Sequence, residues 1–147
     1  MPIEIKKLDE GMLSAVAELE KECFSEPWSV KSLELLVGER AVGFVALVDG
    51  CLAAYAGMTH VLDEGQITNI ATYPEFRRRG LAKMLLAAID EYSMQNGIAF
   101  LSLEVRESNA AARELYFSCG WTEAGTRKGF YRFPTENAVI MTKTLNI

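Results

Sequence analysis

Residues 67 to 82 read ITNIATYPEFRRRGLA, a strand-like run that a proline ends and that leads into a long helical pattern. Small residues at Gly80 and Ala82 leave the start of this helix uncovered, so its backbone N–H groups can lie close to a ligand. The first turn of a helix has unpaired N–H donors, and the helix dipole places roughly +0.5 charge there. This arrangement suits an anion such as phosphate.

Three consecutive arginines, Arg77, Arg78 and Arg79, precede this glycine. A guanidinium group can bind phosphate oxygens through two hydrogen bonds, which strengthens the phosphate interpretation. A glycine turn beside a solvated basic run explains the short pattern RxxGxA equally well. Nucleic acid is a weaker explanation, because the three arginines stand alone in a chain of net charge −5. The surrounding sequence must decide between these readings.

The order of elements around this segment follows from the spacing of apolar residues and from turn signals. Asp49-Gly50 predicts a tight hairpin between two strand-like runs. The strands before and after the long helix should lie parallel, because such crossovers connect parallel strands in a right-handed sense. Strands are predicted over residues 3–8, 41–48, 51–61, 66–73, 100–105, 121–129 and 138–145, and helices after Asp9 and Ser29, over 78–96 and after Asn109.

The predicted order is βααβββαβαββ. We expect an α/β fold of the mixed α+β kind: a mixed, mostly antiparallel, twisted sheet of about seven strands, with four helices on both faces. The chain of 147 residues fits a single domain over residues 1–147. No internal repeat or linker divides it.

Composition limits the function. The chain is 50% hydrophobic and 24% charged, which is typical of a globular protein. We expect a cytoplasmic location and no membrane contact, since no apolar run approaches about 20 residues and no signal peptide is apparent. Three cysteines without CxxC spacing and one histidine argue against a metal site. The acidic balance argues against direct binding of nucleic acid.

With this element order, residues 67–82 resemble the coenzyme A motif of the GNAT acetyltransferases, in which an apolar strand and a proline turn precede (Q/R)xxGx(G/A). The resemblance covers nearly the whole chain. Residues 24–29, 103–109, 115–121 and 125–131 are similar to a bacterial branch of this family that acetylates the N-terminal alanine of a ribosomal protein. The chain departs modestly at Ala82, Thr72 and Trp121, where glycine, valine, and phenylalanine or tyrosine are the usual residues.

The resemblance implies acetyl-coenzyme A as co-substrate, with no metal. The backbone of Ile70 and Thr72 would pair with the pantetheine arm as an added strand would. Arg78 to Lys83 would surround the pyrophosphate. Asn109 would bind the cofactor through its side chain, although a helix cap is an equally good role, and both can coexist. The full predicted cofactor set is Ile70, Ala71, Thr72, Arg77, Arg78, Arg79, Gly80, Leu81, Ala82, Lys83 and Asn109.

Two residues are candidates for catalysis. Leu103 and its apolar neighbours occupy one face of their strand, which places Glu104 on the other face. A solvent-facing carboxylate is the alternative, and the match of LEVR to the family favours a general base. Tyr116 matches the tyrosine that the family uses as general acid, although its helical stripe would also suit an aromatic core residue. Both assignments follow from the resemblance.

The acceptor is expected to be an amine on a protein N-terminus, most simply that of a ribosomal protein. At pH 7 about a tenth of an α-amine is neutral, against about 0.04% of a lysine amine, so one carboxylate suits the α-amine better. Ser25, Trp28 and Tyr131 would line the acceptor site, although the segment around Trp28 could be only a helix–helix elbow. The alternatives are an acetyltransferase of small amines and a non-catalytic acyl-coenzyme A binding module.

Overall fold

The computed structural model describes residues 2–145. Its strands form one seven-stranded sheet in the order β1-β2-β3-β4-β5-β7-β6. The strands are β1 (Ile3–Lys7), β2 (Ala41–Val48), β3 (Cys51–Val61), β4 (Glu64–Thr72), β5 (Phe100–Arg106), β6 (Thr122–Tyr131) and β7 (Glu136–Thr144). The helices are α1 (Leu13–Cys23), α2 (Val30–Leu33), α3 (Leu81–Gln95) and α4 (Ala110–Ser118). The predicted order of elements is confirmed.

The sheet is mixed, as predicted. β4 and β5 run parallel, while every other neighbouring pair is antiparallel. The β2–β3 hairpin turns at Asp49 and Gly50, which both have positive φ, 51° and 81°. Two left-handed residues in succession give the turn the twist that the flanking strands require. The tight hairpin that Asp49-Gly50 predicts is therefore confirmed.

Helices cover both faces of the sheet. On one face, apolar residues of α1 and α2 such as Val16, Leu19 and Leu33 pack with Tyr55 and residues of the neighbouring strands. On the other face, α3 and the helix α4 contribute to a larger cluster with β2 to β5 and β7. Burying one such large aliphatic side chain stabilises the fold by about 1.5–3 kcal/mol. The two clusters hold the sheet between two helical layers.

Two helix boundaries differ from the prediction. α3 begins at Leu81 and not near residue 78, because Arg78 and Gly80 are left-handed, with φ of 64° and 78°. Left-handed residues cannot continue a right-handed helix. The second helix is α-helical only over Val30–Leu33 and continues as a 3-10 turn to Val37. The later start of α3 leaves the basic run in a loop ahead of the helix.

The sheet opens between its two parallel strands. β4 pairs with β5 only through Glu64, Gly65 and Gln66, opposite residues 100–102. Beyond that point, in the part of the chain that the structure describes, β4 pairs with β3 and β5 pairs with β7. The strands therefore diverge and leave a cleft between them, open on the edge of β4. Within residues 2–145 no helix is long and apolar enough to cross a membrane.

Candidate active site

A cleft of about 630 Å³ lies where β4 and β5 diverge. Its walls are β4, β5, α4, the elbow between α1 and α2 (residues 24–29) and the β6–β7 turn (residues 132–135). The cleft brings together predicted site residues from five separate segments of the chain, namely Ser25, Trp28, Ile70, Glu104, Asn109, Tyr116 and Tyr131. These residues meet because the parallel strands separate.

The open edge of β4 presents backbone groups to this cleft. Tyr73 N–H donates to the Ala53 carbonyl at 2.9 Å, which fixes the alternation of bonded pairs along β3 and β4. Since bonded and non-bonded pairs alternate in an antiparallel ladder, Ala71 bonds to β3 while Ile70 and Thr72 point away from it. The backbone of Ile70 and Thr72 is thus directed to the open side.

Ala71 differs from its two neighbours. Its backbone faces β3, and its side chain is buried against α1. On this geometry it offers a cofactor no polar group. The Thr72 carbonyl is partly used, because it accepts hydrogen bonds from Arg77 Nε at 3.2 Å and from Cys23 Sγ at 3.4 Å. Since the Thr72 carbonyl is already hydrogen-bonded, Ile70 is the better candidate of the two for pairing with a ligand.

The loop ahead of α3 places small residues and cations at the helix start. A Cβ built on Gly80 would meet no atom within 4 Å, so this glycine is required by its φ of 78° and not by crowding. Ala82 is half-buried, and Lys83 is exposed on the first turn of α3. The side chain of Leu81 is buried in the core, which leaves only its backbone N–H for a ligand.

The three arginines have different surroundings. Arg77 folds back onto β4 through its bond to the Thr72 carbonyl. The guanidinium of Arg79 lies 5.3 Å from the centre of the Phe76 ring. Arg78 is exposed, and its own backbone is left-handed, with φ of 64°. Arg78 and Arg79 are therefore better placed than Arg77 to reach a pyrophosphate.

Glu104 lies on the cleft wall formed by β5. Leu103 and Val105 pack into the larger cluster, which directs the Glu104 side chain to the opposite face, as predicted. Its Oε1 accepts a hydrogen bond from Gln66 Nε2 at 3.2 Å. Its Oε2 is buried and accepts no hydrogen bond from residues 2–145. This carboxylate oxygen inside the cleft is thus available to a hydrogen-bond donor or a proton from a ligand.

Tyr116 is a core residue that also reaches the cleft. Its side chain is 4% exposed, and its ring lies 6.1 Å from that of Trp121, centre to centre. The residue also lines the cleft. Burial raises the pKa of Tyr116 well above its usual value of about 10, so the phenol stays protonated at neutral pH. A buried, protonated phenol in the cleft is suited to donate a proton.

Asn109 caps α4 and lines the cleft. Its Oδ1 accepts a hydrogen bond from the Ala112 N–H at 3.1 Å, which satisfies one of the unpaired donors at the helix start. The amide NH₂ group of Asn109 can still donate to a ligand. A cap and a binding role are therefore compatible in this residue.

One end of the cleft lies between the elbow and the β6–β7 turn, where the residues predicted to line the acceptor site are found. Ser25 is exposed on the elbow, while Trp28 is half-buried against α1. Across the cleft, the guanidinium of Arg106 lies 4.5 Å from the centre of the Tyr131 ring. Burial, and then the nearby charge of Glu104, raise the pKa of Tyr131 to about 12. Both aromatic residues stay uncharged and border the cleft from opposite sides.

An ion pair joins the two sides of the cleft mouth. Arg132 donates to both carboxylate oxygens of Glu26, at 3.2 Å from Nε and 2.6 Å from a terminal nitrogen. Hydrogen bonding to Arg132 lowers the pKa of Glu26. Arg106 supports the turn by donating to the Arg132 carbonyl at 3.0 Å. No local sequence pattern indicates this pair, because its partners are distant along the chain.

A buried polar network, which the sequence did not predict, lies behind the elbow. Glu20 on α1 is only 1% exposed. Its carboxylate accepts hydrogen bonds from the Trp28 N–H at 2.8 Å, the Tyr55 hydroxyl at 2.5 Å and Asn69 Nδ2 at 3.3 Å. Both Glu20 and Asn69 line the cleft. An acidic residue on the apolar stripe of α1 and an amide within an apolar strand were the available signals.

Comparison with known proteins agrees with this geometry. The profile of the Acetyltransferase (GNAT) family matches residues 13–121 of the chain. The protein belongs to the GNAT family and is an acetyl-coenzyme A-dependent N-acetyltransferase. The predicted family, fold and enzyme class are confirmed. Among residues 2–145 no group of three or more His, Cys, Asp or Glu residues is arranged to hold a metal ion.

The chain is similar to individual proteins and solved structures of known acetyltransferases. The [ribosomal protein bS18]-alanine N-acetyltransferase of Escherichia coli strain K12 is 40% identical over 141 residues, covering 93% of this chain and 94% of that protein. A crystal structure of the ribosomal-protein-S18-alanine N-acetyltransferase from Escherichia coli has a TM-score of 0.92 at 36% identity, covering 99% of this chain and 96% of that one. The PaiA N-acetyltransferase from Thermoplasma acidophilum, in complex with coenzyme A, has a TM-score of 0.79 at 17% identity, covering 99% of this chain and 100% of that one, and shows the fold alone.

Proposed function

We propose that this protein transfers the acetyl group of acetyl-coenzyme A to the N-terminal alanine of ribosomal protein bS18, in the cytoplasm where ribosomal proteins are made. The two Escherichia coli relatives named above carry this activity in their names and match almost the whole chain. The observation that carries the proposal for the site is the buried, unpartnered Oε2 of Glu104, found within residues 2–145 at the point where β4 and β5 diverge.

The residues present fit the cofactor. The outward backbone of Ile70 would pair with the amide groups of the pantetheine arm, as an added strand pairs with a sheet edge. The open space at Gly80 and the exposed cations Arg78, Arg79 and Lys83 would hold the pyrophosphate at the start of α3. The co-substrate supplies an acetyl group activated as a thioester.

The side chains of the chain would then carry out the proton transfers. Glu104 would take a proton from the acceptor's ammonium group, directly or through water, to give a neutral nucleophile. Backbone N–H groups on the open edge of β4 are donors available to the oxyanion that develops at the acetyl carbonyl. Tyr116, kept protonated by burial, would supply the proton that the departing thiolate needs and would regain one from the nitrogen, which carries an extra proton after the attack. Glu104 would release its proton to solvent.

The acceptor end of the cleft suits an extended peptide better than a small, fully enclosed amine. The mouth is bordered by the elbow and by the β6–β7 turn, and exposed aromatic residues lie on both, including Phe24 and Phe133. A chain entering between them would place its first residue near Glu104 and continue outward past Trp28 and Tyr131. Ser25 on the elbow would line this path.

The test is a set of acceptors offered to the purified protein with acetyl-coenzyme A, with thiol release as the measurement. An Ala-starting peptide with the bS18 N-terminal sequence should release thiol, and the same peptide with a blocked N-terminus should not. A panel of polyamines, amino acids and aminoglycosides should give little release. Thiol release only with small amines would contradict the proposed acceptor. If none of the acceptors gave thiol release, catalysis itself would be contradicted.

A further inference from the structure

Asn69 is a buried amide within an apolar stretch of β4, and the mechanism above gives it no task. The residue is 7% exposed and lines the cleft. Its Nδ2 donates to Glu20 Oε2 at 3.3 Å. Its Oδ1 is buried and accepts no hydrogen bond from residues 2–145. A buried acceptor atom without a donor is uncommon in folded proteins and requires an explanation.

The orientation of the Asn69 amide is fixed by its hydrogen bond to Glu20. A carboxylate can only accept hydrogen bonds, so the NH₂ end of Asn69 must face Glu20. Glu20 is in turn held by the Trp28 N–H at 2.8 Å and the Tyr55 hydroxyl at 2.5 Å. Asn69 therefore presents its oxygen, and not its NH₂ group, on the side away from α1.

Asn69 and Glu104 lie on the same face of the sheet. Asn69 reaches Glu20 on α1, so its side chain projects toward the α1–α2 layer. Glu104 projects from the face opposite to Leu103 and Val105, which pack in the other layer. The two side chains thus line the cleft from its two parallel strands. Each has one buried oxygen that receives no donor from residues 2–145.

Two acceptor oxygens in one cleft are complementary to an amine. An ammonium group presents three N–H donors, and a neutral amine presents two. We propose that Asn69 binds the acceptor's amine, with Oδ1 accepting one N–H while Glu104 receives another, and that Glu20 is a positioning residue that fixes the Asn69 amide. This inference rests on the function proposed above. Asn69 takes up no proton. Its role is to hold the acceptor's nitrogen so that the nitrogen lone pair is directed away from the oxygens of Asn69 and Glu104.

The first experiment replaces Asn69 by leucine, which is similar in size but has no acceptor. The KM for the Ala-starting peptide should rise about tenfold or more, because a hydrogen bond to a charged group is lost, while the KM for acetyl-coenzyme A stays within about twofold. Asn96→Leu is the matched control, since Asn96 is an exposed amide that bonds to the Tyr92 carbonyl at the end of α3. A folded Asn69→Leu variant with an unchanged peptide KM would overturn the inference.

A second experiment separates amine binding from a purely structural role. Wild type and Asn69→Ala are each compared on the Ala peptide and on the same peptide beginning with N-methyl-alanine, which has one N–H fewer. The intrinsic reactivity of the two amines cancels when the ratios of kcat/KM are compared. The wild type should discriminate against the methylated peptide several-fold more than the variant does. Equal discrimination would mean that Asn69 does not bind the amine.

Glu20→Gln tests the positioning role. The new amide can turn an NH₂ group toward Asn69 and so reverse its orientation, while Gln still accepts from the Trp28 N–H. The discrimination against N-methyl-alanine should fall as it does in Asn69→Ala, and unchanged discrimination would exclude this role. If the wild type uses only a small amine, the proposed function fails separately, and Asn69→Leu is then judged by the KM for that amine.

Discussion

The two sides of the cleft are built in different ways. Apart from Asn109, the side proposed to bind the cofactor is one continuous stretch of chain, the open edge of β4 followed by the loop and first turn of α3, where left-handed residues set the backbone conformation. The side proposed to bind the acceptor is assembled from distant segments by side-chain contacts, as in the pair of Glu26 and Arg132, which stand 106 positions apart. Changes on the cofactor side should therefore act through backbone conformation, and changes on the acceptor side through individual contacts.

Glu104 lies where the two sides meet, and its loss should have the largest effect. Glu104→Gln should lower turnover about 10²-fold or more, because the amide cannot take the proton from the amine. Binding of acetyl-coenzyme A, measured by calorimetry, should be unchanged. Ser102→Ala on the same face of β5 is the control and should keep normal turnover. Near-normal turnover in Glu104→Gln would remove this residue from the mechanism.

Tyr116→Phe should also lower turnover about 10²-fold while cofactor binding persists, since the packing against Trp121 is kept and only the hydroxyl is lost. The pH dependence gives a second check. The acid works when protonated, and burial raises the pKa of Tyr116, so the alkaline loss of activity moves to higher pH. The rate should rise with pH as the α-amine loses its proton near pH 8 and should not fall again below about pH 10. A fall near pH 9 would exclude Tyr116 as the acid.

On the cofactor side, Gly80→Ala should raise the KM for acetyl-coenzyme A about tenfold, because a left-handed conformation costs a residue with a Cβ about 1–2 kcal/mol and the loop will shift to relieve it. The kcat should change little. Gly50 in the β2–β3 turn is a matched control, with a similar φ of 81° and equally open space around a built Cβ. Gly50→Ala should lower stability without changing this KM. Equal KM values in the two variants would argue against a binding role for the loop.

The smallest effect should come from the ion pair at the mouth. Both partners are exposed, so Arg132→Ala should raise the peptide KM only about two- to threefold and should leave the KM for acetyl-coenzyme A unchanged. The difference from wild type should shrink as salt is added, because exposed pairs are screened. Measuring the peptide KM between low and high salt checks this. A difference that persists at high salt would mean that Arg132 contacts the peptide itself.

The contrast between a continuous stretch of chain and a site assembled from distant segments also explains which features the sequence could predict. Strand and helix periods, the Asp49-Gly50 turn and the glycine at position 80 are local patterns. They predicted the fold, which is confirmed, and a pyrophosphate site in the loop ahead of α3, which stays a prediction. The start of α3 was placed about three residues early because the left-handed Arg78 carries no glycine signal. The network of Glu20 and Asn69 depends on elements that only the tertiary fold brings together, so a single sequence gave no distance or partner for it.

Transfer to one particular protein N-terminus is the central claim, and mass spectrometry of ribosomal proteins from cells with and without this gene tests it most directly. We predict that one small-subunit protein, bS18, loses the acetyl group on its N-terminal alanine when the gene is absent. Restoring the gene with Ser102→Ala should return the group, and restoring it with Glu104→Gln should not. Identical N-termini in both strains, or acetyl groups lost only from lysine side chains, would contradict the account.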